Sequence, residues 1–470
     1  MSPLGVDSAG QVRGLSSAKD GRHIVVSGQT GGGKSGLLMQ ILVPWLGDGL
    51  SAVVVDPKGQ TAAELLAFAS YYDVVRPEEI GIINFFGAHA TPFDPCARVE
   101  GVDDFTRADL VVSFVAAQVD GVGQRMVDAL YWAARAVISR GGSFADVPEI
   151  LASDDYAARF AASVPDEEAR AFLLRIGERV PAMSRSALES RIRYLTRLPT
   201  VRASLCCGAC ISLDQLVPHR GLVIADLGSA PSADLADAVG SLVVGLVGRA
   251  VYARRSQVEG WLAEPPSPAL VVIDEAQRVM RSSAQDVEDW LCAARAYGVS
   301  VAICTQSLRN RVFDEKFVAV LRANTSYEVA FRPDNDVISD LAHMLPVTGM
   351  RRNAALPDKR LSRKEEIDLL SDQLRRLPRR HFLLADRTGA RATVETLRSL
   401  QLPYEEATGA FRALPAERRL ELTRGSLARP VAELLARSRP SLPVGVDASG
   451  AVEGRGDAPA ARRRGLKVVF

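Results

Sequence analysis

Gly28-Gln29-Thr30-Gly31-Gly32-Gly33-Lys34-Ser35 is a complete G-x-x-x-x-G-K-S stretch, and its reading decides the fold. An apolar β-branched run, His23-Ile24-Val25-Val26, precedes it, and a helix-like stretch from Gly36 to Leu42 follows. Strand, glycine turn and helix are the context in which such a loop binds phosphate. The glycines let the backbone curl around an oxyanion, and successive N–H groups together with the helix N-terminus attract it. Lys34 supplies a positive charge at the β- and γ-phosphates, and Ser35 offers a hydroxyl to Mg²⁺. Gly28, Gln29, Thr30, Gly31, Gly32, Gly33, Lys34, Ser35 and Gly36 are therefore the candidate contacts of a nucleoside triphosphate.

The pattern of strands around the loop is that of an α/β chain. Ser51 to Asp56 reads as a second strand, with Pro44 and Gly47 to Gly49 ending the helix before it. Ile80 to Phe86 fits a third. Continuous apolar strands separated by helices describe a mostly parallel sheet buried on both faces. From about Val102 the spacing becomes helical, as in Met126, Leu130, Ala134 and Val137, and strand signals vanish until Leu222 to Asp226. A helix near Leu235 to Arg255 follows, then a Pro-rich loop over Glu264 to Pro268. Strands are expected at Leu270 to Asp274, Ser300 to Thr305, Ser326 to Phe331 and His381 to Ala385.

The expected organisation has four parts. Residues 1–20 form an N-terminal hairpin, and 21–101 with 202–400 form the nucleotide-binding domain. Residues 102–201 are an inserted all-helical domain, and 401–470 are a C-terminal helical or flexible tail. Gly5 to Gly14 and Gly445 to Gly454 match at six of ten positions, read as two similar turns or as strands added to one surface.

Composition excludes some classes. The net charge of +1 gives no global basic signature, so contact with nucleic acid rests on local patches. No uninterrupted apolar run approaches the ~18 residues of a membrane helix, and the first residues carry no signal-peptide pattern. Six scattered cysteines fit a reducing cytoplasm. Cys206-Cys207-Gly208-Ala209-Cys210, with His219 beyond, reads as ordinary buried cysteines more readily than as a zinc site, because adjacent cysteines rarely both bind.

The chemistry concentrates further along. Leu270-Val271-Val272-Ile273 ends in Asp274-Glu275. At the C-terminal edge of a parallel sheet, Asp274 lies beside the phosphate loop to hold Mg²⁺, and Glu275 polarises the attacking water. Gln306, after the next strand, is placed to contact the γ-phosphate or its water. Arg295 is either a surface arginine or a guanidinium offered to a neighbouring subunit's nucleotide, a device worth ~10³–10⁵ in rate. The segment Arg351 to Arg380 holds ten Lys/Arg against five Asp/Glu, and reads as the lining of a DNA path or as a solvated helical face.

In combination these segments resemble the FtsK/HerA superfamily of ATP-driven pumps, which includes the conjugative coupling proteins. His23 to Ser35 resembles its phosphate-loop strand, and Val53 to Gln60 (V-V-V-D-P-K-G-Q) the D-P-K-G after its second strand. Leu270 to Gln277 resembles its aspartate–glutamate strand, and Ala294 to Ser307 its arginine and glutamine segment. The likeness continues through Asn324 to Arg332 and spans roughly residues 5 to 400. The helical insertion and Thr91-Pro92-Phe93-Asp94-Pro95 are similar to the coupling-protein (TraG/TraD-type) and HerA branches. The coupling proteins' N-terminal membrane helices and HerA's N-terminal barrel have no counterpart in the sequence.

The resemblance implies a RecA-like P-loop fold using ATP and Mg²⁺. It implies a hexameric ring around double-stranded DNA, with Arg295 acting in trans and Gln306 as γ-phosphate sensor. The function it implies is a helicase-like DNA translocase in the cytoplasm. A protein-translocating ATPase is one alternative, and a nucleotide-controlled platform for a partner such as a nuclease is another.

Overall fold

The computed structural model describes residues 3–14, 22–116, 118, 122–254, 267–280, 284–308, 313–346, 348 and 361–441. The strands are β1 (Pro3–Val6), β2 (Val12–Gly14), β3 (His23–Ser27), β4 (Ser51–Asp56), β5 (Ile80–Ile83), β6 (His89–Ala90) and β7 (Gly221–Asp226). After them come β8 (Ala269–Ile273), β9 (Val299–Thr305), β10 (Thr325–Phe331), β11 (His381–Asp386), β12 (Thr393–Arg398) and β13 (Arg429–Pro430). Eleven of these form one sheet in the order β2-β1-β12-β11-β10-β3-β9-β8-β4-β7-β5. From β10 to β5 every neighbouring pair is parallel, and from β10 out to β2 every pair is antiparallel. The sheet is thus mostly parallel, as the sequence pattern indicates.

The apolar runs are continuous because both sheet faces are covered. Val25, Val53, Val271 and Val301 share one core with the helices Asp104–Ala116, Gln124–Arg140 and Ala233–Ala253. Ile24, Val54, Val272 and Ala302 point into the other, with helices α1 (Lys34–Gly47) and α2 (Gln60–Tyr71). Each valine or isoleucine so buried contributes about 1.5–3 kcal/mol. One local expectation fails at α1. Pro44 lies inside the helix, which runs on to Gly47, and Gly49 rather than the proline turns the chain with its positive φ of 74°. A proline's missing N–H costs the helix one bond, and burial of Trp45 and Leu46 beyond it keeps the last turn in place.

Among the described residues, the chain between β6 and β7 is helical apart from one isolated bridge, Phe93 to Cys210. That bridge closes the neck of the helical stretch, and Asp94 stitches it. Its fully buried carboxylate accepts N–H bonds from Cys96 (2.9 Å), Phe144 (3.1 Å) and Gly208 (2.9 Å). Burial lifts its pKa to about 7 against those bonds.

The helix Ala233–Ala253 is the one element, among the described residues, long and apolar enough to cross a membrane by length and composition. Its apolar stretch is 89% buried inside the protein, where it packs under the sheet. Its start is capped by Ser232, whose hydroxyl accepts the Leu235 N–H.

At the N-terminus, Asp7 Oδ1 accepts N–H bonds from Ala9 and Gln11 and turns β1 into its antiparallel partner β2. The other half of the near-repeat, Gly445 to Gly454, lies outside the described residues, as do Glu264 to Pro266, 351–360 of the basic segment, and 442–470. The chain after β12 is helical over Tyr404–Ala413, Ala416–Arg424 and Val431–Arg437. It folds back on the core, with Tyr404 edge-on to Phe68 of α2 and β13 paired to β6.

Candidate nucleotide site

The phosphate loop joins the end of β3 to α1, and its glycines answer to Phe331 at the end of neighbouring β10. Gly28 (φ 146°) and Gly33 (φ 123°) lie in a region that side chains disfavour. A Cβ on Gly28 would sit 2.6 Å from Phe331 Cβ, and one on Gly33 2.9 Å from Phe331 Cε1. The aromatic ring thus sets the floor on which the backbone curls. Gly28 N–H donates to Thr305 O (3.3 Å) and Gln29 N–H to Arg332 O (3.2 Å), which ties the loop to both flanking strands. Lys34 is buried, with Nζ donating to Gly28 O (2.5 Å) and Gln29 O (3.2 Å). Burial lowers its pKa, and the charges of Glu275 and Asp274 oppose that. Thr30, Gly31, Gly33, Lys34, Ser35 and Gly36 line a cavity of about 300 Å³.

The acidic pair reaches the same cavity from β8, two strands away. Asp274 Oδ2 accepts the Thr61 hydroxyl of α2 (2.7 Å), and Oδ1 accepts the Glu275 N–H (2.9 Å). Burial raises its pKa, with Asp56 and Glu275 adding to the effect. Glu275 has φ 44°, a left-handed conformation that costs a non-glycine residue of order 1–3 kcal/mol and is characteristic of functional sites. That turn aims its carboxylate inward, where Oε1 meets Lys58 Nζ (2.5 Å). Oε2 accepts from Gln277 Nε2 (2.5 Å) and Gln306 Nε2 (2.9 Å). Burial alone would raise the Glu275 pKa. The hydrogen bonds from Lys58 and Gln277, with the Lys58 and Lys34 charges, outweigh it and hold the group low, as a carboxylate.

Strand β9 lies between the phosphate-loop strand and the acidic strand. Gln306, just beyond its C-terminal end, is therefore delivered to Glu275 by topology. Arg295 is not brought there. It is exposed at the start of a short 3₁₀ turn before β9 begins, at the opposite edge of the sheet.

No family model and no curated protein matches the sequence. Solved structures do. TrwBdeltaN70, a bacterial conjugative coupling protein in a trigonal form with sulphate, aligns over 86% of this chain and 92% of its own at 17% identity, with a TM-score of 0.59. TrwB in complex with ADP and Mg²⁺ aligns over 86% and 91% at 16% identity, with a TM-score of 0.55. VirB4 of Thermoanaerobacter pseudethanolicus aligns over 86% and 97% at 15% identity, with a TM-score of 0.54. The chain has the fold of TrwB and VirB4.

Several further residues line the cavity. Lys58 comes from the loop after β4, and Glu64 from α2. Arg379 and Arg380 come from the turn before β11, while Ser399, Leu402 and Tyr404 follow β12. Arg380 has φ 64°, a second left-handed non-glycine residue at the cavity. The two arginines belong to the basic segment read above as a DNA path or solvated face; here they face the nucleotide cavity. The signal for Lys58 was present in Asp56-Pro57-Lys58-Gly59. For the segment after β12 there was none, because β12 (T-V-E-T-L-R) is largely exposed and lacks an apolar run.

The cysteine cluster takes no part. Cys206 and Cys207 are buried, Cys210 is half-buried, and burial raises all three thiols. Among the described residues no group of three His, Cys, Asp or Glu side chains is placed to hold a metal.

A buried histidine stands at the opposite end of the strand that carries the phosphate loop. His23 begins β3, the strand that ends in the phosphate loop. Its Nε2 donates to Leu291 O (2.9 Å) and its Nδ1 accepts the Val301 N–H (3.1 Å). Both bonds require the neutral ring with the proton on Nε2. Leu291 belongs to the helix Ala284–Ala294 that leads into Arg295. One strand therefore holds the phosphate loop at one end and, through His23, anchors the arginine-bearing segment at the other.

Proposed function

We propose that the chain is a P-loop ATPase of the FtsK/HerA kind, closest to the coupling-protein and HerA branches, that assembles as a hexameric ring and drives DNA through a central pore. One observation carries the reading. Lys34, Ser35, Asp274, Glu275 and Gln306 gather at one edge of the sheet, whereas Arg295 is exposed at the other. The seven residues of β9 separate those edges by about 23 Å. Arg295 is out of reach of its own nucleotide, and an arginine presented outward on that edge suits the nucleotide of a neighbouring copy. A complete site then exists only between subunits, which is what a ring supplies.

In this reading the residues divide the work. The loop amides and Lys34 hold the β- and γ-phosphates. Ser35 and Asp274 present hydroxyl and carboxylate oxygens, the hard donors Mg²⁺ takes, and the ion would supply charge compensation to the phosphates. Glu275 takes a proton from the attacking water, and Gln306 holds that water and the γ-phosphate in register. Arg295 of the neighbour stabilises the charge that builds on the transferred phosphoryl group. TrwB solved with ADP and Mg²⁺ and with non-hydrolysable ATP and GTP analogues supports this choice of ligands. The proposal places the protein in the cytoplasm, since all six cysteines are free thiols.

The test is ATP hydrolysis with and without double-stranded DNA, alongside particle mass. The reading expects DNA-stimulated turnover by a hexamer, and Glu275→Gln slowing turnover by at least ~10²-fold while ATP still binds. Hydrolysis by Glu275→Gln at the wild-type rate would refute the assignment. Turnover indifferent to DNA would move the reading to a protein-translocating ATPase or a nucleotide-controlled assembly platform.

A further inference from the structure

Lys58 is the residue of the cavity whose placement is most elaborately built and least explained by phosphate binding. Buried Asp56, at the end of β4, accepts the Lys58 N–H on Oδ1 (2.9 Å) and the Ala62 N–H on Oδ2 (2.8 Å). Gly59 follows in a left-handed conformation (φ 74°), packed so tightly that a Cβ would lie 2.8 Å from Asp226 Oδ1. Arg278 donates to Pro57 O from the other side. The loop is thus clamped on both sides, and Lys58 projects from it into the cavity. Its ammonium lies 2.5 Å from Glu275 Oε1, with the lysine side chain 37% exposed and the glutamate 5%. Gln277 and Gln306 occupy Oε2. Both oxygens of the glutamate thus carry side-chain donors, and the Lys58 ammonium, the charged one among them, makes Oε1 a weaker acceptor for a proton from water.

We propose that Lys58 is a triphosphate-sensing latch on Glu275. Its ammonium holds Oε1 in this arrangement, and a γ-phosphate seated over Gly31, Gly33 and Lys34 competes for the same ammonium. Lys58 lines that cavity on a flexible stem and needs only a change of rotamer to leave the carboxylate. A diphosphate lacks the competing group. Triphosphate binding and release of Glu275 thereby become one event, so the glutamate is freed for water only when there is a γ-phosphate to attack. The inference rests on the nucleotide reading above, and binding measurements separate the two.

The experiment is equilibrium affinity for a non-hydrolysable ATP analogue and for ADP, with Mg²⁺, on the full chain and its variants. Lys58→Met is expected to weaken the analogue roughly tenfold and ADP less than about twofold. Glu275→Gln removes the competitor for the ammonium and is expected to tighten the analogue several-fold. In Lys58→Met/Glu275→Gln that gain disappears. Lys58→Arg keeps the charge and retains the preference for the analogue over ADP. Equal weakening of both nucleotides by Lys58→Met, or a Glu275→Gln gain that persists without Lys58, overturns the latch. Lys34→Ala binding both nucleotides as tightly as wild type overturns the site itself instead.

Discussion

His23 offers a prediction whose size follows from the structure. Burial pushes its pKa down from 6.5 to about 4, against the pull of the Leu291 carbonyl and with help from the nearby Arg295 charge. The folded chain therefore excludes a proton that the unfolded chain accepts, and stability falls as pH drops below 6.5 toward 4. The loss saturates at about 3 kcal/mol below both values, and most of it, about 2 kcal/mol, falls between pH 7.5 and pH 5.0. Protonation would set an N–H against the Val301 N–H, so the cost lands on the contact between β3, β9 and the Arg295-bearing segment. Asp94 acts in the opposite sense, because its raised pKa of about 7 favours the protonated folded form as pH falls. The assay is accordingly a difference: urea unfolding of wild type and of His23→Gln at both pH values. His23→Gln is less stable at pH 7.5 but lacks this pH-dependent loss, so the gap between the two proteins narrows by about 2 kcal/mol at pH 5.0. An unchanged gap would refute the neutral, doubly bonded histidine.

Gly28→Ala forces a Cβ to 2.6 Å from Phe331 Cβ at φ 146°, and is expected to cost about 1–3 kcal/mol in thermal stability and to abolish measurable ATP binding; ATP binding at wild-type affinity would show that the ring does not shape the loop. Asp274→Asn keeps an acceptor for Thr61 but removes the charge facing the ion, so half-maximal turnover should need roughly tenfold more Mg²⁺ in a titration; an unshifted titration would remove Asp274 from the metal site. Zinc chelation is expected to leave the melting temperature within about 1 °C, since the thiols of Cys206, Cys207 and Cys210 are buried without a metal-binding arrangement; a large fall would restore the zinc reading.

The parallel sheet was legible because its strands are buried on both faces. Ser51 to Asp56, Leu222 to Asp226 and Ser300 to Thr305 are continuous apolar runs, and each proves to be a strand to within a residue. The convergence of the phosphate loop with Asp274, Glu275 and Gln306 was legible for the same reason: each ends or follows such a strand at the sheet's C-terminal edge. Pro44 misled because burial of Trp45 and Leu46 outweighs one missing helical hydrogen bond. The wall made by Arg379, Arg380 and Tyr404 was not legible. It depends on β12, an exposed strand held by pairing with β11 and β1 rather than by its own hydrophobicity. Nor does a sequence give the distance between Arg295 and Gln306. Eleven residues apart in the chain, they stand at opposite ends of one strand, and that separation makes the arginine a candidate for a neighbour's site.

The central claim is that the complete site is shared between two copies of the chain, and subunit mixing tests it most directly. Arg295→Ala is expected to bind ATP normally but to lose ~10³–10⁵ in turnover, and Lys34→Ala to lose turnover through its own loop. In a 1:1 mixture of the two variants, about one interface in four unites an intact loop with an intact arginine, and ATPase activity should return to roughly a quarter of wild type. A mixture as inactive as its components, or full turnover by Arg295→Ala alone, would contradict the account.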